Sequence, residues 1–99
     1  MPVVVASQTW SLSVPGCTSL KEKRSVVRSL KDRLRARFHV SVAETDLQDV
    51  HTRAEIAVAL VSSDRRLAES ILDKADHLVR GNGRALVLDS RRDFHQTSS

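Results

Sequence analysis

The chain has 99 residues, a length that suits one domain with a two-layer core. It carries 16 Lys and Arg against 12 Asp and Glu, a net charge of +4, and its single cysteine excludes an internal disulfide. No apolar stretch approaches the roughly 20 residues that span a bilayer, and the first residues lack the pattern of a secretory leader. We therefore expect a cytoplasmic protein with no membrane partner.

The first predicted element is a strand from Val3 to Val14. Trp10 and Leu12 alternate with Ser and Thr residues, so one face of the strand is predicted to be buried and the other polar. Gln8 lies on the same face as Trp10 and needs a hydrogen-bond partner if it is buried. A Pro-Gly pair then ends the strand.

The next predicted element is a helix from Ser19 to Phe38. Ser19 is placed to act as N-cap, and Glu22 to complete a capping box in which each side chain binds the other residue's backbone N–H. Apolar residues recur at helical spacing and predict one buried side. Lys23 falls within that side, and we expect its aliphatic stem to pack while its amine reaches solvent.

This helix concentrates the positive charge of the chain. Residues 19–38 have a net charge of +6, which leaves −2 for the remaining residues. Five cations at spacings of three and four form a stripe beside the apolar side; this basic stripe consists of Lys21, Arg24, Arg28, Lys31 and Arg35. Like charges at these spacings slightly destabilise a helix, so the stripe is either a solvated face or the binding surface for an anionic partner.

Strand and helix patterns alternate again in the second half of the chain. One strand is predicted around Val40 to Ala43 and another from Arg53 to Ser62, separated by the polar run Asp46 to Asp49. Ser63 or Asp64 is predicted to cap a second amphipathic helix.

The chain is predicted to close with one more strand. Gly81 should end the second helix in a left-handed conformation, and a strand should follow from Arg84 to Phe94. Leu86 and Leu88 are expected to point into the core. Residues His95 to Ser99 are expected to form a disordered tail.

The resulting order, β-α-β-β-α-β, predicts an α+β ferredoxin-like fold for residues 1–94, with two helices on one face of a four-stranded antiparallel sheet. The other face should be open and carry small residues, namely Ser7, Thr9, Ser11, Ala57 and Ala59. These positions lack the aromatic side chains on which RNA-recognition domains stack bases. An open face without a charged surface instead favours self-association.

No spacing in the chain matches a known catalytic or metal-binding motif. Cys17 has no obvious partner base, so we expect an unreactive loop thiol and no catalytic residue. The four histidines lie on separate elements without an i,i+4 pair and are not expected to bind a metal. The chain is therefore predicted to be neither an enzyme nor a cofactor-binding protein.

The sequence also resembles the YlxP-like family of uncharacterised small bacterial proteins. The residues that carry the likeness are Pro15-Gly16, Ser19 to Arg24, Val27, Leu30, Leu34, Arg37, Phe38, Val40 to Glu44, Ala57, Val58 and Val61 to Asp64. The resemblance implies a ferredoxin-like fold. It also implies an RNA-related role, because genes of that family often lie among those for transcription elongation, translation initiation and ribosome maturation. His51 stands where the family commonly has tryptophan.

Two functional hypotheses follow from the sequence. The first is a non-enzymatic module that binds RNA or the ribosome through the basic stripe together with Lys23. The second is a structural or regulatory homo-oligomer, expected to be a dimer, in which the open face packs against another copy and the stripe is solvated. In the first hypothesis Arg84 and Arg91, on the last predicted strand, should contribute much less than the helix.

Overall fold

The computed structural model describes residues 1–97. Their elements are β1 (Val3–Ser13), α1 (Leu20–Phe38), β2 (Ser41–Asp46), β3 (Arg53–Ser62), α2 (Arg65–Arg80) and β4 (Leu86–Thr97). The strands form one antiparallel sheet in the order β2-β3-β1-β4, and both helices cover the face that carries Trp10. The predicted ferredoxin-like fold is confirmed.

The N-terminus of α1 is capped in a way that the sequence predicts only in part. As expected, the Ser19 hydroxyl accepts a hydrogen bond from the Glu22 backbone N–H at 3.2 Å. The Glu22 carboxylate, however, binds the backbone N–H and the hydroxyl of Thr18, at 3.1 and 3.0 Å, and not the N–H of Ser19. Both hydrogen bonds from Thr18 lower the pKa of Glu22, and the one from the backbone N–H has the larger effect.

The predicted left-handed glycine at the end of α2 is wrong. Gly81 has a φ of −81°, in the right-handed region. A turn closes this helix instead, because the Asn82 backbone N–H donates to the Val79 carbonyl at 3.2 Å. Among residues 1–97, positive φ occurs at His39, at 53°, which ends α1, and at Leu47, at 65°, in the loop between β2 and β3.

The prediction that Leu86 and Leu88 point into the core is also wrong. They are 61% and 53% exposed, whereas Val87 packs against the core. A β-bulge causes the difference, because Asp89 pairs with Ser11 and Leu88 has no partner on β1. The extra residue shifts the alternation of side chains, which a strict period of two cannot anticipate.

Strand β4 is longer than the sequence predicts. His95, Gln96 and Thr97 pair with Val5, Val4 and Val3 of β1, so these three residues belong to the sheet and not to a disordered tail. The domain therefore extends beyond residue 94. Residues 98 and 99 of the predicted tail lie outside the described residues.

Gln8 has the hydrogen-bond partners that its predicted burial requires. It is 4% exposed, its Nε2 donates to Asp76 Oδ1 at 3.1 Å, and its Oε1 accepts from Arg92 Nε at 2.8 Å. Trp10 Nε1 donates to the same Asp76 oxygen at 2.9 Å. Both polar groups of the buried strand face are therefore satisfied from α2 and β4.

The sheet face opposite the helices is open, as predicted. Its exposed or partly exposed residues on β1 and β3 include Ser7, Thr9, Ser11, Ala57 and Ala59. The strands are long, and the Cα atoms extend over 49 × 21 × 19 Å. The molecule is thus an elongated two-layer plate with one layer of helices.

Candidate nucleic-acid interface

The basic stripe lies on the solvent side of α1. Lys21, Arg24 and Arg28 are exposed and, with Ser25, line a shallow depression over the first two turns. Lys31 is partly exposed one turn further along. Within residues 1–97, the side chains of these four cations make neither an ion pair nor a hydrogen bond. Their charge is available to a ligand.

Arg35, the last residue of the stripe, has partners within the fold. Its Nη2 donates to the Val42 carbonyl at 2.9 Å, and its Nη1 lies 3.7 Å from Asp32 Oδ1. The side chain is still 48% exposed. Arg35 therefore contributes to the edge of β2 as well as to the surface charge, and it is a weaker candidate for ligand binding than the other four.

Lys23 is not a surface cation, and its assignment to the nucleic-acid site is wrong. Its side chain is 0% exposed, and Nζ lies 2.7 Å from Glu44 Oε2. The same amine donates to the carbonyls of Leu47 at 2.8 Å, Gln48 at 3.3 Å and Arg53 at 3.4 Å. The amine does not reach solvent because β2 and the loop that follows it close over the position.

Further cations beside α1 escape sequence reasoning. Arg33 shares a depression with Ser29, Asn82 and Arg84, of which the last two follow α2. Arg84 precedes β4 and influences the charge environment of Glu22 at the start of α1. The prediction that Arg84 lies on the last strand is therefore wrong, whereas Arg91 does lie on β4.

A second group of basic side chains meets where α1 ends. Arg37, Lys74 and His77 line one groove, whose apolar part consists of Phe38 and Leu78. The helical period places Arg37 one turn after Arg33, on the same side of α1. Nothing in the sequence pairs it with Lys74 and His77, because that contact depends on how the two helices pack.

The acidic residues of α2 are engaged away from this groove. Asp73 binds Arg92 Nη1 at 2.8 Å and Asp76 binds Arg80 Nε at 2.9 Å. Glu69 pairs with Arg65 at 3.2 Å. The positive charge between the helices is consequently not neutralised by these acids.

The remaining candidate residues differ in exposure. Cys17 is buried, and His51 is exposed in the loop between β2 and β3. Within residues 1–97, no group of three or more His, Cys, Asp or Glu side chains is arranged to hold a metal ion. In the same residues, every helix is too short or too polar to cross a membrane.

Comparison with known proteins confirms the suspected family. The family described as "Protein of unknown function (DUF503)" matches residues 5–92. The uncharacterised protein YlxP of Bacillus subtilis (strain 168) is 39% identical over 56 residues, which cover 57% of this chain and 61% of that protein. The match thus spans less than two thirds of the relative.

Solved structures support the fold. A dimeric ferredoxin-like protein from an uncultured marine organism has a TM-score of 0.51 at 13% identity, with 100% of this chain and 90% of that chain covered. A dabb family protein with a ferredoxin-like fold from Mesorhizobium loti has a TM-score of 0.51 at 17% identity, with 96% of each chain covered. At these identities the likeness concerns the fold alone.

Proposed function

This chain belongs to the DUF503 family of proteins of unknown function, and we propose that it is a non-enzymatic module that binds RNA, free or within the ribosome, in the cytoplasm. The binding surface is the exposed part of the basic stripe, Lys21, Arg24, Arg28 and Lys31. Phosphate groups are the ligands, since an unpaired row of cations recognises charge and not base identity.

The observation that carries this proposal is the lack of protein partners for these four side chains. Elsewhere in residues 1–97, exposed arginines such as Arg65 and Arg80 pair with an acid one turn away. On α1, Arg24 is followed one turn later by Arg28, and Lys31 by Arg35. Such like-charge pairs weaken an isolated helix. An anionic ligand would remove this repulsion when it binds.

The dimensions of the stripe suit a polymer. Lys21 and Lys31 are ten positions apart on one helix, which corresponds to roughly 15 Å at the rise of an α-helix. Four cations over this length can contact several successive phosphates of one strand. A small anion would engage only part of the row.

The test is the salt dependence of binding to a single-stranded oligouridylate. Four neutralised phosphates should give a plot of log K against log salt with a slope of about −2.8. Replacing Arg24 and Arg28 by glutamate should flatten this slope by about 1.4 or more. The fold should be retained, because both side chains are exposed and unpaired.

A control variant, Arg53→Glu with Arg66→Glu, changes the net charge by the same amount away from the stripe. Its slope should stay close to that of the wild type, because Arg53 lies on the open sheet face and Arg66 at the start of α2. Equal binding by the wild type and the α1 variant at every salt concentration would remove the proposal. Equal losses in both double variants would indicate attraction by net charge only.

A second candidate function is that of a structural or regulatory homo-oligomer. It is favoured by three exposed valines at one end of the open face, Val3, Val5 and Val61, which are 45%, 38% and 72% exposed. The adjacent Ala57 and Ala59 allow another flat surface to approach closely. The marine ferredoxin-like protein is dimeric, which is compatible with such a role.

If this second candidate is correct, light scattering should detect a dimer at micromolar concentration. Ala57→Glu combined with Ala59→Glu should convert it to a monomer, because the interface would then bury unpaired charges. A dimer that tolerates both glutamates would exclude the open face as its interface.

A further inference from the structure

The two edges of the sheet are treated differently by the fold. At the β2 edge, the Arg35 side chain donates a hydrogen bond to the carbonyl of Val42. At the β4 edge, no side chain of residues 1–97 is hydrogen-bonded to the backbone of the strand. A long strand with a bare edge is a template for pairing with another strand.

Within residues 1–97, the ionisable side chains on the open face of β4 have no partners. Asp89, Arg91, Asp93 and His95 are all exposed, and within the described residues none of them forms an ion pair or a side-chain hydrogen bond. Their cross-strand neighbours on β1 are uncharged; these are Ser11, Thr9, Ser7 and Val5. A cross-strand partner for these side chains would therefore have to lie beyond the free edge of β4.

The order of these charges complements itself when the strand is reversed. In an antiparallel pair of two β4 strands centred on Arg92, Asp89 lies opposite His95 of the second copy and Arg91 lies opposite Asp93. The two-fold symmetry repeats both contacts, so four cross-strand pairs join an acid to a base. Charges on an edge strand ordinarily prevent pairing, but in this register they attract each other.

We infer that this chain forms a two-fold dimer in which β4 pairs antiparallel with β4 of a second copy, centred on Arg92. The inference does not depend on RNA binding. The resulting sheet has eight strands and keeps all helices on one face. The bulge at Leu88 sets one limit of the pairing, since the regular part of the strand begins at Asp89.

Arg92 is the one position where like residues meet in this register. Its charge is already compensated, because Nη1 binds Asp73 at 2.8 Å and Nε binds Gln8 Oε1 at 2.8 Å. These contacts hold the guanidinium toward α2 and β1 of its own copy. At the two-fold axis, the two Arg92 side chains therefore meet with their charges already neutralised within their own copies.

Charge exchange tests the inference. Arg91→Asp and Asp93→Arg should each raise the dissociation constant of the dimer, measured by sedimentation, by about tenfold or more. The reason is that each substitution turns two attractive pairs into repulsive ones. The double variant, in which the two residues are exchanged, should associate like the wild type. The single variants change the net charge in opposite directions, so an effect of overall charge cannot weaken both.

A cross-link tests the register. In a Cys17→Ser background, Arg92→Cys should form a disulfide-linked dimer on mild oxidation, since self-paired Cα atoms lie about 4.5–5.5 Å apart. Gln96→Cys is the matched control on the same face, and its two copies would be roughly 26 Å apart. The inference would be overturned if the wild type were monomeric, if the single variants dimerised normally or if the double variant did not recover. Equal cross-linking at positions 92 and 96 would also overturn it.

Discussion

Lys23→Met should lower the free energy of unfolding by about 3–5 kcal/mol, the usual effect of removing one member of a buried ion pair. The Glu44 carboxylate, which is 14% exposed, would lose the cation 2.7 Å away. The carbonyls of Leu47 and Gln48 would lose a donor at the same time. For a domain of this size, the melting temperature should fall by at least about 12 °C.

A helical wheel leads to the opposite expectation, because it places position 23 among apolar residues, where methionine should not lower the stability. Arg24→Met is the matched control, because Arg24 is exposed and unpaired, and its effect should stay within about 0.5 kcal/mol. Adding Glu44→Leu to Lys23→Met should recover part of the stability, since a buried charge is then no longer left alone. A stable Lys23→Met single variant would contradict a structural role for the pair.

Asp76→Ala should have the second largest effect, a loss of about 2–4 kcal/mol, because it leaves buried donors without an acceptor. The donors are Trp10 Nε1 and Gln8 Nε2, at 2.9 and 3.1 Å from Asp76 Oδ1. Asp73→Ala on the same helix is the control. Asp73 is 67% exposed, and its ion pair should contribute no more than about 1 kcal/mol.

The same carboxylate predicts how stability depends on pH. Burial acts to raise the pKa of Asp76, but the hydrogen bonds from Trp10 and Arg80 and the charges of Arg80 and Arg92 outweigh it and lower the pKa below its ordinary value of 3.8. The stabilisation is therefore fully present above the unfolded pKa and is lost as the pH falls through the folded one.

The measurement is chemical unfolding followed by the fluorescence of Trp10, the only tryptophan of the chain. The difference in unfolding free energy between wild type and Asp76→Ala should be constant near neutral pH and should narrow below about pH 4. A difference that widens in acid would show that the charged form of Asp76 is not the stabilising one.

Local patterns predict most of the fold because its elements follow regular periods. The alternation around Trp10 and the apolar period of α1 identify strands and helices whose order leaves few possible topologies. Gln8 could be recognised as needing a partner from its place on the buried face of β1. That partner, Asp76, lies 68 residues away, so no local rule could name it.

The errors arise where contacts distant in sequence decide the outcome. Lys23 is buried because Glu44 and three loop carbonyls surround its amine, and no period within α1 contains that information. The bulge at Leu88 moves Val87 inward through pairing with β1. For the candidate site, the helical period of α1 predicts the basic stripe. The position of Arg84 beside α1, however, depends on the turn after α2.

The elongated shape has a hydrodynamic consequence. With Cα extents of 49 × 21 × 19 Å, a single copy has a long axis more than twice either short axis. Such a particle experiences more friction than a sphere of equal mass, so it should elute early from a sizing column and tumble slowly about its short axes. A single copy can therefore imitate a pair by elution volume, whereas scattered intensity, which reports mass directly, distinguishes the two.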